Sequence, residues 1–182
     1  MKNVTFTITI LCCVFGWAEI KAQTTGQPLK KEIGIRLAGL SDFDFIFKKQ
    51  KTENSYQRIR FLSSNLSISD FADFSSMFSI GVTIGKEKRK PLNNHLSLIR
   101  GWEIISSFST RIENEHTSIA LCPGAGLVFG FQYDINDNFL VTLETIPSIT
   151  ICVQSDSDEL RVSNFNAGFN SDYLSLGLLY RF

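Results

Sequence analysis

Few residue types in this chain could do chemistry, and their spacing limits what they could do. Beyond the first 22 residues the cysteines are Cys122 and Cys152. Two thiols fall short of the ligand set of a zinc site. They leave two states open, a disulfide or a pair of free thiols. The histidines are His95 and His116. Hydrolytic chemistry needs a nucleophile, a base and an acid in one place. His116 has Glu113, Glu115 and Ser118 near it in sequence, as a polar segment supplies by chance. The chain has no G-x-S-x-G, Walker or dinucleotide-binding motif, and nothing in it implies a cofactor. The remaining chemistry is charge. Asp42, Asp44, Arg58, Arg60, Glu144 and Arg181 each stand in alternation with apolar neighbours, a pattern suited to ion pairs on one face of a sheet.

The elements that would position these groups are strands. Formal net charge is zero, so no nucleic acid or other polyanion partner is implied. Residues 1–22, "MKNVTFTITILCCVFGWAEIKA", carry Lys2, an apolar run from Val4 to Trp17, and Ala22 before Gln23. This predicts a secretory signal peptide, cleaved after export. Leu11 precedes Cys12, which does not fit a lipoprotein signal. Residues 23–30 form a short polar leader, and residues 31–182 a single all-β domain.

Eight strands are predicted by strict alternation. Their cores are "EIGIRLAG", "DFDFIFKK", "SYQRIRFLS", "FSIGVTIGKE", "HLSLIRGWEIISSF", "GLVFGFQYDI", "NFLVTLETI" and "YLSLGLLYRF". In the fifth, Arg100 falls on the apolar parity of Leu98 and Trp102, and a bulge would shift it. "KTEN", "PLNN" and "NDN" are tight turns. The connections near 64–76, 109–117 and 153–172 are longer, polar and predicted to be loops. Pro123 and Pro147 would break the ladder where strands rise beyond a bilayer. If Ile135 faces Phe139, paired positions on strands six and seven sum to about 274 in simple antiparallel register. Cys122 and Cys152 satisfy that sum, provided the prolines do not break it.

One parity is rich in Phe, Leu, Ile and Val. The other mixes small residues with charges. Lipid cannot satisfy backbone N–H and C=O groups, so a sheet in a bilayer must close on itself. Outer-membrane barrels have short turns on the periplasmic side and longer outer connections. The alternation of tight and long connections fits a closed antiparallel up-and-down transmembrane β-barrel of eight strands, with the charges inside. Tyr133, Phe139, Tyr180 and Phe182 would mark the inner interface, and Phe78, Trp102 and Phe108 the outer one. Such a barrel has little room beyond its own side chains, so acids and bases would pair and leave no open channel. Arg58 and Arg60 would pair with Asp42 and Asp44.

The signal peptide, the "YDINDNFLVTLE" turn and the terminal "LSLGLLYRF" resemble small outer-membrane β-barrel proteins of Gram-negative bacteria. The resemblance implies Sec-type export to the outer membrane and contact with its lipid. It also implies that Leu176, Leu178, Tyr180 and Phe182 form the signal read by the barrel-assembly machinery. The expected function is a structural or surface-interaction role through the outer loops, as a monomer. Two alternatives stand beside it. One is a secreted soluble barrel or sandwich binding an apolar ligand inside. The other is an outer-membrane lipid-modifying enzyme using His116.

Overall fold

The structure is a computed structural model that describes residues 29–38, 42–69, 75–113, 116–156, 159–168 and 174–182. The predicted signal peptide and most of the polar leader lie outside the described residues. The strands are β1 (Lys31–Ala38), β2 (Asp42–Thr52), β3 (Ser55–Ser69), β4 (Ser75–Pro91), β5 (Leu96–Glu113), β6 (His116–Asp134), β7 (Phe139–Thr145), β8 (Ser148–Asp156), β9 (Glu159–Gly168) and β10 (Ser175–Arg181). Hydrogen bonding runs antiparallel from β1 through β7 in chain order, passes to β10, and returns from β10 to β1. That ring is a closed eight-stranded barrel. The last strand does not fray, because the N–H groups of Phe182 and Lys31 each donate to the other's carbonyl at 2.9 Å.

Asn side chains build two of the tight turns. Asn93 Oδ1 accepts from the N–H groups of His95 and Leu96, and Asn136 Oδ1 accepts from those of Asn138 and Phe139. The two turns have the same spacing and the same chemistry, the local Asx bond that makes Asn a turn former.

The long connections differ from expectation. They are largely strand. β5 and β6 pair as far as Glu113 and His116, and β3 and β4 as far as Ser69 and Ser75. Much of 153–172 is β8 and β9, paired with each other. At 17, 18 and 19 residues, β4, β5 and β6 far exceed the 9–11 or so that cross a bilayer. The physical reason is that polar residues on both faces do not end a ladder whose backbone bonds remain satisfied within the sheet. Together β3, β4, β5, β6, β8 and β9 form a sheet that rises beyond the barrel.

Two further corrections concern register. β5 has no bulge: it pairs regularly with β4 and β6, and Arg100 faces outward opposite Lys88. The shifts fall elsewhere, at Gln50/Thr52, Leu62/Asn65 and Cys152/Val153. Pro147 splits the seventh stave into β7 and β8, yet the register survives. Phe129 faces Thr145 below the break and Gly126 faces Ser148 above it, both on the 274 sum. Pro147 still accepts through its carbonyl, from Leu127 N–H at 3.0 Å.

Burial is inverted relative to a soluble protein. Leu178 is 56% exposed and Phe45 52%, whereas Arg58, Lys48 and Glu32 are 0%. Phe43, Phe61, Phe129 and Phe131 also point outward. This overturns the soluble alternative, which needed the Phe-rich parity inside. The apolar contribution to the interior is small, chiefly Ile46, Leu140 and Leu179 in one cluster.

Candidate functional site

The interior is a continuous chain of ion pairs. It begins near the tight turns, where Arg181 binds Asp134 at 3.2 Å and Glu32 at 3.0 Å. Arg89 grips Glu32 through both guanidinium nitrogens, at 2.8 and 2.6 Å, and also binds Glu87. Its guanidinium lies 3.6 Å from the centre of the Tyr56 ring, a cation–π contact. In the middle, Glu87 and Glu144 each bind both Lys48 and Arg58, at 2.7–3.0 Å. Arg60 then binds Glu103 and, at 2.6 Å, Asp44. Asp44 also accepts from Arg36, which reaches Ser175 Oγ at 2.9 Å.

Among the described residues these pairs join six cations to six carboxylates, so the chain of pairs is formally neutral. Neutrality matters because an unpaired charge in such a site costs several kcal/mol, on the order of 3–5 when one partner is lost. Small residues make room for it. A Cβ on Gly85 would come within 2.7 Å of Glu103 Cβ, so only glycine fits between that carboxylate's stem and the wall.

The pairing differs in part from expectation. Arg60 does bind Asp44. Arg58 instead binds Glu87 and Glu144: its partner on β2 is Lys48, Glu87 comes from the neighbouring strand β4, and Glu144 reaches it across the lumen from β7. The side chain of Asp42 lies outside the described residues. Arg89 lies beyond the predicted fourth strand, which ends at Glu87. The signal was present in "GKEKRK", where alternation continues with lysines on the outward parity.

Cys122 and Cys152 are joined in a disulfide that ties β6 to β8 above the Pro147 break. Further up, Gln154 Nε2 donates to Ser118 Oγ at 2.8 Å and Ser163 Oγ donates to the Cys152 carbonyl at 3.2 Å. The histidines are far apart. His95 lies 3.2 Å from the Asp134 carbonyl at one end of β6, and His116 begins β6 at the other end, roughly 60 Å away along the strand at about 3.4 Å per residue. The side chain of His116 and those of Glu113 and Glu115 lie outside the described residues. Among the described residues no cluster of His, Cys, Asp and Glu could hold a metal ion.

Around the outside, Phe139 and Tyr180 pack at 5.3 Å, and Tyr180 and Phe182 at 6.2 Å. Trp102 does not mark the outer interface. It sits opposite Lys86, below the apolar positions Ile104 and Phe108, on the side of the tight turns.

A closed barrel with apolar residues outside and paired charges inside is the architecture of the outer-membrane β-barrel class. Solved structures resemble the chain. A major outer membrane protein from Thermus thermophilus matches with a TM-score of 0.50 at 10% identity, over 86% of this chain and 100% of that one. The attachment invasion locus protein of Yersinia pestis matches at 0.44 and 13%, over 85% and 95%. Neisserial surface protein A matches at 0.38 and 11%, over 84% and 90%. The likeness to the Thermus protein is one of fold. No protein-family model matches the chain, and no curated protein matches it in sequence.

Proposed function

We propose that this barrel has a structural or surface-interaction role in the outer membrane, with a closed lumen and no catalytic activity. One observation carries the reading. The ion-pair chain from Asp134 to Asp44 crosses the interior with its central members, Lys48, Arg58, Glu87 and Glu144, wholly buried. Ions would have to displace paired charges to pass. What remains for interaction is the raised sheet, which the disulfide stiffens. Its last strand, β9, is paired on one edge only among the described residues, and it shows Val162 and Phe165 to the outside at 70% and 63% exposure. Exposed strand edges and apolar patches favour contact with other molecules. The β10 positions Leu176, Leu178, Tyr180 and Phe182 are proposed as the contact for the assembly machinery.

The test is conductance. Protein reconstituted in a planar bilayer should give no discrete steps above the bare membrane. Steady single-channel steps from the unmodified protein would contradict the closed-lumen reading.

A further inference from the structure

The periplasmic margin of the barrel is divided into two unlike arcs. On β6, β7 and β10 the outward residues nearest the tight turns are Phe131, Tyr133, Phe139, Tyr180 and Phe182, with no charge among them. On β1, β2, β4 and β5 the outward parity changes abruptly from apolar to basic, and on β3 from apolar to polar. Ile33 gives way to Lys31, Phe47 to Lys49, Ile84 to Lys86 and then Lys88 and Lys90, and Trp102 to Arg100. The register makes this one boundary. Ile33, Phe47, Ile59 and Ile84 are successive cross-strand partners, and the row below them reads Lys31, Lys49, Gln57, Lys86, Trp102.

These cations are not explained by the protein. Lys31 directly faces Lys49, and Lys88 directly faces Arg100. Like charges directly opposed on a sheet are destabilising. Among the described residues none of the six has an ion-pair partner, and the carboxylates of these strands whose side chains are described, Glu32, Asp44, Glu87 and Glu103, are turned into the lumen. Counter-charge must therefore come from outside. The row lies two residues from the last apolar row, roughly 7 Å along the strands, next to the face that would meet lipid.

We propose that this arc binds anionic phospholipid head groups of the periplasmic leaflet, the phosphates lying between Lys49, Lys86, Lys88 and Arg100. The inference rests on the barrel spanning a membrane. A cation near an anionic membrane surface contributes about 1 kcal/mol, about fivefold in local lipid preference for each one engaged.

Trp102 is a built-in reporter, directly opposite Lys86 and two positions from Arg100. In protein lacking residues 1–22 it is the sole tryptophan. The protein is reconstituted in phosphatidylcholine vesicles containing either brominated phosphatidylglycerol or brominated phosphatidylcholine at the same mole fraction. The expected result is that phosphatidylglycerol is enriched about fivefold or more around Trp102 by quenching, and that K86Q/K88Q/R100Q removes the enrichment while the barrel stays folded by its electrophoretic shift on heating. Equal quenching by the two lipids in the parent protein would overturn the proposal. So would enrichment that survives in the triple variant. Absence of quenching by either lipid would instead contradict the membrane reading on which the proposal depends.

Discussion

The most exposed point of the account at the residue scale is Glu144. Its two oxygens hold Lys48 and Arg58, and all three side chains are fully buried. Glu144→Gln leaves a net positive charge inside. It should destabilise the folded barrel by about 3–5 kcal/mol, read as a lowered urea midpoint in vesicles. Adding Lys48→Gln restores neutrality and should recover part of that loss, the non-additivity expected of residues sharing one network. A neutral effect of the single change would remove the network from the account. Alternation made the inward parity of Asp44, Arg58, Arg60 and Glu144 legible in the sequence. It did not make their partners legible. Arg58 and Glu144 are 86 positions apart and meet across the lumen, a contact fixed by barrel closure and not by local spacing. Arg89 lies past the predicted strand end at Glu87, where the outward parity carries lysines and no apolar residue.

Strands carry the next level of prediction. Leu178 lies on β10 between Ile35 and Val141, all on the outward face. Leu178→Arg should cost about 2–4 kcal/mol if that face meets the bilayer core. In water the same exposed position would tolerate arginine with little change, so the urea midpoint separates the two environments. For β6 and β8, the mature protein should show no free thiol from Cys122 or Cys152 by mass measurement without reductant. C122S/C152S should lose at most about 3–4 kcal/mol, the loop-closure contribution for a bridge spanning 30 positions. Two free thiols in the untreated protein would contradict the bridge. The eight staves and three tight turns were legible because apolar alternation and Asn-rich turns are local signals. The raised sheet was not. β9, "ELRVSNFNAG", mixes polar and apolar residues on both parities and pairs across a register shift at Cys152/Val153, so neither periodicity nor burial announces it. Pro147 interrupts the seventh stave without moving its register, because only one donor is lost there.

As a whole molecule the protein is inside out: its charges are sequestered and paired, and its aromatic and aliphatic side chains face outward. The end with the tight turns is lopsided, aromatic on one arc and basic on the other, while the far end continues as a tall sheet on one side. These features share one premise, that lipid surrounds the outward parity. The most direct measurement of it is a spin-label scan along β10 in the C122S/C152S background, with single cysteines at successive positions from 175 to 180. The account predicts that labels at 176, 178 and 180 relax with oxygen, which concentrates in lipid. Labels at 175, 177 and 179 should be shielded from oxygen and from water-soluble nickel reagents alike. The reverse phase, or nickel access at 176 and 178 in reconstituted protein, would contradict it.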